Sequence, residues 1–403
     1  MRTKSALLPV AAVIALAASL PIASSLAQSL APAPAAQAGD GQPAQIRQGV
    51  PTGDYNVSAR ASADEALPNL YARDETFFKF PTGRKLGSTS AIDIDKDGKS
   101  IWIMERCGGQ DYCFGPNAHV APIMKFDSKG NFVKAFGADT VVYPHGLHID
   151  QDGNIWISDL ASNVDWSSLR NHTAPPNAPV SPKPNGADVL KFSPDGKLLM
   201  RLGTPGVYGN DETHLSQPSA VATAANGDIF VADGHDTPPS NSRIVKYDKN
   251  GKFLKAWSSC GNNPASMLDC GHALAMDSQG RLFVGNRGNN RIEIFDQDGN
   301  LLAEWTQFGK PSGLFIDKND TLYVADSESS VRNRNTYVRG IHIGSAKTGE
   351  VKSFSPDPGN NPAPWNPLRG TTGSEGLAVD KDGILYASSV TPPNLAKYVL
   401  RTW

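Results

Sequence analysis

The sequence has little excess charge and no basic block. Its 403 residues include 38 Lys and Arg against 40 Asp and Glu, which gives a formal net charge of -2. A chain so close to neutral lacks the positive surface with which proteins hold nucleic acid or anionic membranes, so we expect neither as a partner. Glycine and proline are plentiful, at 38 and 30 residues, as suits many short strands joined by turns.

Long apolar runs are confined to the amino terminus. Arg2 and Lys4 precede the run "ALLPVAAVIALAASL", and a small-residue site, "SLA" at 25–27, follows it. Because the run is short and contains a proline, residues 1–27 are predicted to be a secretory signal peptide rather than a membrane anchor. Residues 28–70 are rich in Ala, Pro, Gln and Gly, which predicts a flexible leader. We therefore expect a secreted or periplasmic protein without membrane contact after cleavage.

Cysteine is scarce, with four residues in the whole chain. An even number in an exported protein favours disulfides. The simplest of the three possible connectivities pairs Cys107 with Cys113 and Cys260 with Cys270. A metal site made of cysteines is the alternative, but neither pair has the spacing of a zinc finger.

What the sequence does contain is a repeat. Six segments align with at most a one-residue insertion. Each has an alternating apolar run, a turn centred on Asp-Gly or a related pair, and a second alternating run, which together predict a β-hairpin. The segments are "TSAIDIDKDGKSIWIMER" (89–106), "PHGLHIDQDGNIWISDL" (144–160), "PSAVATAANGDIFVADG" (218–234), "GHALAMDSQGRLFVGNR" (271–287), "PSGLFIDKNDTLYVADS" (311–327) and "SEGLAVDKDGILYASSV" (374–390).

Most copies continue with two further strands, such as "IMKFDSKGNFVKAFG" (123–137). Four-stranded units that recur at roughly 40 to 75 residues are typical of propeller blades. The last copy stops after its third strand, "NLAKYVL" (394–400), and the apolar stretch "FFKFPTGRKLG" (77–87) is the predicted fourth strand. The sequence thus predicts an all-β domain over 71–403, a six-bladed β-propeller closed by an N-terminal strand so that no edge stays exposed.

One column of the alignment carries candidate metal ligands. His145, His272 and Glu375 begin the first strands of alternate blades, about a third of a turn apart, so they should converge on the axis. Two imidazoles and a carboxylate suit zinc in a site with an open fourth position, and they can also hold ferrous iron. The alternative is a set of variable polar residues at a solvated rim. The whole column reads Ser90, His145, Ser219, His272, Ser312 and Glu375.

His148 lies three positions after His145, so on an alternating strand it faces the opposite way. We expect it to pack between blades rather than to bind a metal.

Two further columns lie near the end of the second strands. Arg106 in the first blade and Arg287 in the fourth suit a carboxylate-bearing ligand, because a guanidinium can bind a carboxylate bidentately. An ordinary ion pair between blades is the alternative for either arginine. His235, Tyr112 and Tyr337 lie in the loops that follow, where each could transfer a proton or be a solvated side chain. The residues that end the second strands are predicted turn caps: Glu105, Asp159, Asp233, Asn286, Asp326 and Ser389.

Several segments resemble the peptidyl-α-hydroxyglycine α-amidating lyases, a family of six-bladed NHL-type propellers. "YPHGLHIDQDGNIWISD" and "GHALAMDSQGRLFVGNRGNNRIEIF" are similar to the segments that carry two zinc histidines and one active-site arginine, here His145, His272 and Arg287. "IWIMERCGG" is similar to the segment with the other arginine, here Arg106. "FVADGHDTPPSNSRIVKYD" resembles a motif whose tyrosine is the family's proposed catalytic base, and His235 stands in its place here.

The sequence departs from that family at two more places. The family's third zinc histidine corresponds to Glu375, and the acid that helps to bind its structural calcium corresponds to Gly376, so the resemblance does not support a structural calcium here.

The resemblance implies a metal-dependent lyase with Zn²⁺ at the axis, and the ligand types leave Fe²⁺ as the second choice. We expect the protein to be a monomer. It would cleave a C–N bond of a small-molecule or peptide-derived, hydroxyglycine-like substrate and release an amide and glyoxylate. Arg106 and Arg287 would hold a carboxylate, and His235 would move a proton. A metal-dependent hydrolase on the same site and a non-catalytic propeller that binds protein or glycan are the alternatives.

Overall fold

The computed structural model describes most of the predicted propeller, and every described residue belongs to one compact unit, residues 45–403. The predicted signal peptide, most of the leader and the predicted pair Cys260–Cys270 lie outside the described residues. The described residues are 64, 66–109, 112–164, 183–235, 240–258, 271–329, 338–357 and 374–402.

These residues form 24 strands in six four-stranded antiparallel sheets, which confirms the predicted six blades. No helix in the described part of the chain is long and apolar enough to cross a bilayer. Blade one has β2 (Ala91–Ile94), β3 (Ile101–Met104), β4 (Ile123–Phe126) and β5 (Phe132–Phe136); blade two has β6 (Pro144–Ile149), β7 (Ile155–Asp159), β8 (Asp188–Phe192) and β9 (Leu198–Leu202); blade three has β10 (Pro218–Thr223), β11 (Ile229–Asp233), β12 (Arg243–Tyr247) and β13 (Phe253–Ser258). Blade four has β14 (Ala273–Met276), β15 (Leu282–Asn286), β16 (Arg291–Phe295) and β17 (Leu301–Trp305); blade five has β18 (Pro311–Ile316), β19 (Thr321–Asp326), β20 (Gly340–Ser345) and β21 (Val351–Pro356); blade six has β22 (Gly376–Val379), β23 (Leu385–Ser389), β24 (Asn394–Leu400) and, from the other end of the chain, β1 (Tyr71–Asp74).

The N-terminal strand closes the ring, as predicted, but it is not the predicted segment. β1 pairs with β24 in antiparallel register, with Tyr71 opposite Leu400. The prediction that residues 77–87 supply this strand was wrong. Phe78 and Phe80 instead pack on Phe126, with ring centroids 5.2 and 5.3 Å apart. The apolar spacing of that segment therefore reflects burial between blades one and six.

The polar turns of the repeat hold the first hairpin of each blade. In blade two, Asp150 Oδ1 accepts from the backbone N–H groups of Asp152 and Asn154 at 3.0 and 2.9 Å. Gly153 adopts a φ of 87°, which glycine tolerates at no steric cost. An aspartate that bonds its own turn and a glycine in the left-handed region explain why the Asp-Gly pattern marks these turns.

The core consists of side chains sandwiched between neighbouring blades. Trp102 and Trp156, on the second strands of blades one and two, are almost completely buried. Removing an indole of this size from water stabilises the fold by at most about 4–6 kcal/mol. Because each blade buries its faces only against its neighbours, the ring is needed before any blade is stable.

A ring of six aliphatic side chains, one from each inner strand, divides the central channel. We call it the aliphatic collar. It lines both the cavity at the histidine end of the channel and a second cavity beyond it. The alternation of the inner strands explains the collar, since each member follows its axial residue by two positions and so faces the same channel. Its members are Ile92, Leu147, Val221, Leu274, Leu314 and Leu377.

Candidate metal centre

The six residues that begin the inner strands meet in one cavity of about 70 Å³. All six are buried. His145, His272 and Glu375 come from blades two, four and six, and they converge although the sequence separates them widely. The alignment of the repeat therefore predicted the placement of all three side chains.

Glu375 lies close to both imidazoles. Its Oε1 is 3.5 Å from His145 Nε2 and 3.7 Å from His272 Nε2. Ligand atoms about 2.0–2.2 Å from a four-coordinate ion stand about 3.3–3.6 Å from one another. The two separations from Glu375 are close to those of ligands that share one cation.

Backbone carbonyls of the intervening blades orient the two imidazoles. His145 Nδ1 donates to Ser219 O at 2.9 Å, and His272 Nδ1 donates to Ser312 O at 2.7 Å. Since a carbonyl oxygen only accepts, each Nδ1 carries the proton and each Nε2 keeps its lone pair. Neither Nε2 has a hydrogen-bond partner among the residues that the structure describes. Metal-binding histidines are held in this way, and a buried polar atom without a partner is costly unless something binds it.

Burial lowers the pKa of both histidines, whereas neighbouring charges decide the pKa of Glu375. Burial, together with the nearby His235, lowers the pKa of His145 to about 4. Burial and the Arg287 charge lower the pKa of His272 well below its ordinary value. Burial opposes ionisation of Glu375, but the charges of Arg287 and Arg106 favour it, and the pKa of that carboxyl is lowered. At neutral pH the trio is two neutral imidazoles and a carboxylate, the forms that bind a cation.

Two glycines let the inner strands approach each other around the trio. A Cβ on Gly146 would lie 2.5 Å from Ser219 O, the carbonyl that orients His145, and a Cβ on Gly376 would lie 2.6 Å from Ser90 O. Both contacts are far shorter than van der Waals contact. Gly376 stands where the resembling family has its calcium-binding acid, so the residues present do not fit that calcium site.

A third imidazole, that of His235, joins the pair from the loop after β11. Its ring centroid lies 4.6 Å from that of His145 and 5.0 Å from that of His272. One nitrogen from each ring lies within 4.8 Å of the others, so the three histidines form a second possible ligand set. Arg287 Nη2 is 3.4 Å from His235 Nε2, and because a guanidinium only donates, this nitrogen accepts. Spacing alone could not show that this loop reaches the axis.

The two arginines of the aligned column have different surroundings. Arg106 is 3% exposed, with Cζ 3.9 Å above the ring centroid of Tyr143. No carboxylate in the described part of the chain forms an ion pair with it. Arg287, by contrast, lies 3.2 Å from Glu328 and 3.9 Å from Glu375. Arg106 is thus a buried cation with an aromatic neighbour, whereas two carboxylates of the site balance the charge of Arg287.

Two side chains that shape the site are not predicted from the sequence. Glu328 bridges Arg287 and Lys310. It stands one position beyond the arginine column in blade five, so an alignment extended by one residue could have found it. Tyr143 precedes the "PHG" of blade two, and its contact with Arg106 arises only when blades one and two meet.

The second strands end in structural side chains, as the alignment predicts. In blade two, Asp159 accepts from the backbone N–H groups of Val142 and Tyr143 at 2.7 and 2.6 Å. These bonds hold the chain just before His145. In blade one, a disulfide joins Cys107 to Cys113 directly after Arg106, which confirms the first predicted pairing.

Comparison with known proteins finds several relatives, although no family model matches the chain. The chain is 27% identical over 330 residues to a probable peptidyl-α-hydroxyglycine α-amidating lyase of Caenorhabditis elegans. The aligned region covers 78% of this chain and 83% of that protein. It is 29% identical over 249 residues to NHL repeat-containing protein 3 of Homo sapiens, which covers 59% of this chain and 62% of that protein.

A peptidyl-glycine α-amidating monooxygenase of Mus musculus is 32% identical over 229 residues, which covers 54% of this chain and 20% of that protein. The chain therefore spans less than two thirds of the human relative and about a fifth of the mouse relative. The chain is thus similar to proteins named as amidating lyases and as NHL repeat proteins, and its own six blades form a closed β-propeller.

Proposed function

We propose that this protein is a secreted, metal-dependent lyase that cleaves the C–N bond of a hydroxyglycine-like substrate. The observation that carries the proposal is the convergence of His145, His272 and Glu375 at one end of the channel. The relatives named as amidating lyases support the class of reaction. The disulfide and the N-terminal signal pattern support export.

The ligands that we propose are His145, His272 and Glu375, rather than the three histidines. The carboxylate oxygen is within 3.7 Å of both Nε2 atoms, whereas the ring nitrogens of the three histidines are separated by up to 4.8 Å. His235 Nε2 is also engaged by Arg287. Two neutral imidazoles and a carboxylate suit zinc with one position open, and ferrous iron is the second choice for this ligand set. When bound, the ion would supply a Lewis acid that polarises a substrate oxygen.

Arg106 is the proposed anchor for the substrate carboxylate. A buried guanidinium that lacks a carboxylate partner within the described chain is costly, and a substrate anion would offset that cost. The face of Tyr143 supports the cation from one side and so holds the fork in a fixed plane. A bidentate carboxylate contact would orient the rest of the substrate toward the histidines.

His235 is the proposed proton-transfer group. Cleavage of the C–N bond turns the carbinol carbon into the aldehyde of glyoxylate, so the hydroxyl proton must leave as the C=O bond forms. The amide nitrogen must gain a proton as the C–N electron pair moves onto it. His235 Nε2 carries a lone pair, because Arg287 Nη2, 3.4 Å away, can only donate. Once the substrate replaces this long contact, Nε2 would take the hydroxyl proton and pass it to the amide nitrogen, so that one proton moves from the oxygen to the nitrogen. Arg287 would orient His235 and keep Glu375 ionised.

The test has two measurements on the purified protein. We expect stoichiometric zinc or iron by mass spectrometry, and release of glyoxylate and benzamide from N-benzoyl-α-hydroxyglycine. Ser312→Ala is the matched control, since Ser312 lines the same cavity and its hydroxyl bonds only to Ser327 among the described residues. Protein that carries no such metal would refute the metal centre. Metal-loaded protein that releases no glyoxylate from this substrate would refute the lyase reaction.

A further inference from the structure

A second cavity of about 250 Å³ lies on the far side of the aliphatic collar from the histidines. The inner strands line it with the residues that follow the collar, so it opens at the opposite end of the channel. Most of the residues that line it are apolar, including Met276, Phe315 and Ile316, although polar atoms form more of its exposed wall. A pocket with apolar walls and a few convergent polar groups is the usual form of a small-molecule site.

The polar groups of this cavity come from three consecutive blades. Asp93 is on blade one, His148 on blade two and Thr223 on blade three. His148 Nε2 is 2.8 Å from Thr223 Oγ1, and its Nδ1 is 3.6 Å from Asp93 Oδ2. Asp93 Oδ2 also accepts from the backbone N–H of Ile149 at 2.8 Å, which fixes the carboxylate. We call these three side chains the Asp–His–Thr array.

The repeat itself does not require the array. The positions equivalent to Asp93 and His148 in the other four blades are apolar, and those blades form the same sheet. The His148 side chain is 26% exposed and that of Asp93 is 15% exposed, so solvent reaches both. Polar groups that are confined to one side of an apolar cavity and reachable from solvent suit a ligand that is polar at one end.

The charged groups that line the cavity decide whether the polar end of the ligand is a cation or an anion. Among the described residues that line it, Asp93 is the only carboxylate, and no lysine or arginine is present. A single carboxylate without a lysine or arginine beside it in the cavity favours a cation, because an ammonium donates charge-assisted hydrogen bonds to it. Thr223 Oγ1 can accept a further bond, and the ring of Phe315 can face an apolar body. The volume is smaller than the roughly 300 Å³ of the smallest drug-sized pockets, so the ligand must be small.

We propose that this second cavity binds a small primary amine with an apolar body, with the ammonium on Asp93 and the apolar part against Met276 and Phe315. The cavity is separate from the proposed metal centre, since the collar lies between them. The proposal does not depend on the reaction at that centre.

Titration of the purified protein with phenethylamine tests the proposal, by calorimetry and by saturation-transfer NMR. We expect saturable binding with a Kd below about 10 mM. Asp93→Asn removes the charge and keeps one oxygen, which can accept from the backbone N–H of either Ile149 or Ile94 but not of both, and it should weaken amine binding at least about tenfold. Asp195→Asn, at a fully exposed carboxylate, is the matched control and should leave the Kd unchanged. 2-Phenylethanol, which lacks the ammonium, should also bind at least about tenfold more weakly.

A Glu375→Ala variant separates the two ends of the channel. Amine binding that survives Glu375→Ala but not Asp93→Asn supports the second cavity. Binding that is absent, that 2-phenylethanol matches, or that Asp93→Asn leaves unchanged overturns the proposal. Circular dichroism of each variant shows whether a loss of binding reflects loss of the fold. If Asp93→Asn does not fold, Thr223→Val supplies an independent test, and it should weaken amine binding by a smaller but measurable amount.

Discussion

Substitution of Glu375 by alanine is the most direct test of the metal centre. A structural zinc bound by four ligands contributes about 10–16 kcal/mol, so one ligand contributes about 2.5–4 kcal/mol. With about 1.4 kcal/mol for each factor of ten, the Kd for zinc should rise about 60- to 700-fold. The geometry supports this size of effect because Glu375 Oε1 is within 3.7 Å of both ligand nitrogens and is the only carboxylate of the trio.

The assay is competition with a chromophoric zinc chelator at fixed pH. His235→Ala is the informative companion, because His235 belongs to the other possible ligand set. We expect it to change the Kd for zinc by at most about tenfold, the lower end of the effect of groups around the ligands. Glu375→His should retain zinc, since an imidazole is also a zinc ligand. A larger loss in His235→Ala than in Glu375→Ala would show that the three histidines hold the ion and that our assignment of Glu375 is wrong.

Three further predictions concern the same site. Arg106→Ala should raise KM for a carboxylate-bearing substrate about 10- to 150-fold, because it removes a charge-assisted hydrogen bond, and it should leave the metal content unchanged. Steady-state kinetics measure KM, and mass spectrometry measures the metal content. Burial lowers the pKa of His145 to about 4 and that of His272 well below its ordinary 6.5, so both imidazoles stay in the neutral ligand form as the pH falls through 6.5. The protein should therefore retain its metal at pH 6.5. Metal release with a midpoint at pH 6.5 or above, in protein still folded by circular dichroism, would contradict this prediction. Gly146→Ala should lower the free energy of unfolding by about 1–3 kcal/mol in denaturant titration, because the new Cβ would lie 2.5 Å from Ser219 O; an unchanged midpoint would show that the inner strands can separate.

The repeat made the fold and the axial trio predictable from sequence. Once the six segments were aligned, the ring placed His145, His272 and Glu375 together, because equivalent positions in a closed propeller lie at the same height. That inference needs only the order of the blades and the alternation of the strands. The closing strand was harder, because four residues of β1 carry little periodic signal and the more apolar stretch after it packs between blades.

The loops and the pairing of charges could not be predicted in the same way. His235 lies outside the repeat, so its position depends on the path of a loop that no period constrains. The difference between Arg106 and Arg287 arises from Tyr143 and Glu328, which belong to other parts of the chain. The Asp–His–Thr array was also hidden, since it needs side chains from three blades to lie within reach.

The aliphatic collar has a consequence for the order of events in turnover. Water and ions cross an apolar constriction poorly, so the histidine end of the channel has one usable mouth. In the proposed lyase reaction, a substrate that enters by this mouth would also have to release both of its products through it. The product that leaves last would then compete with incoming substrate in steady-state kinetics.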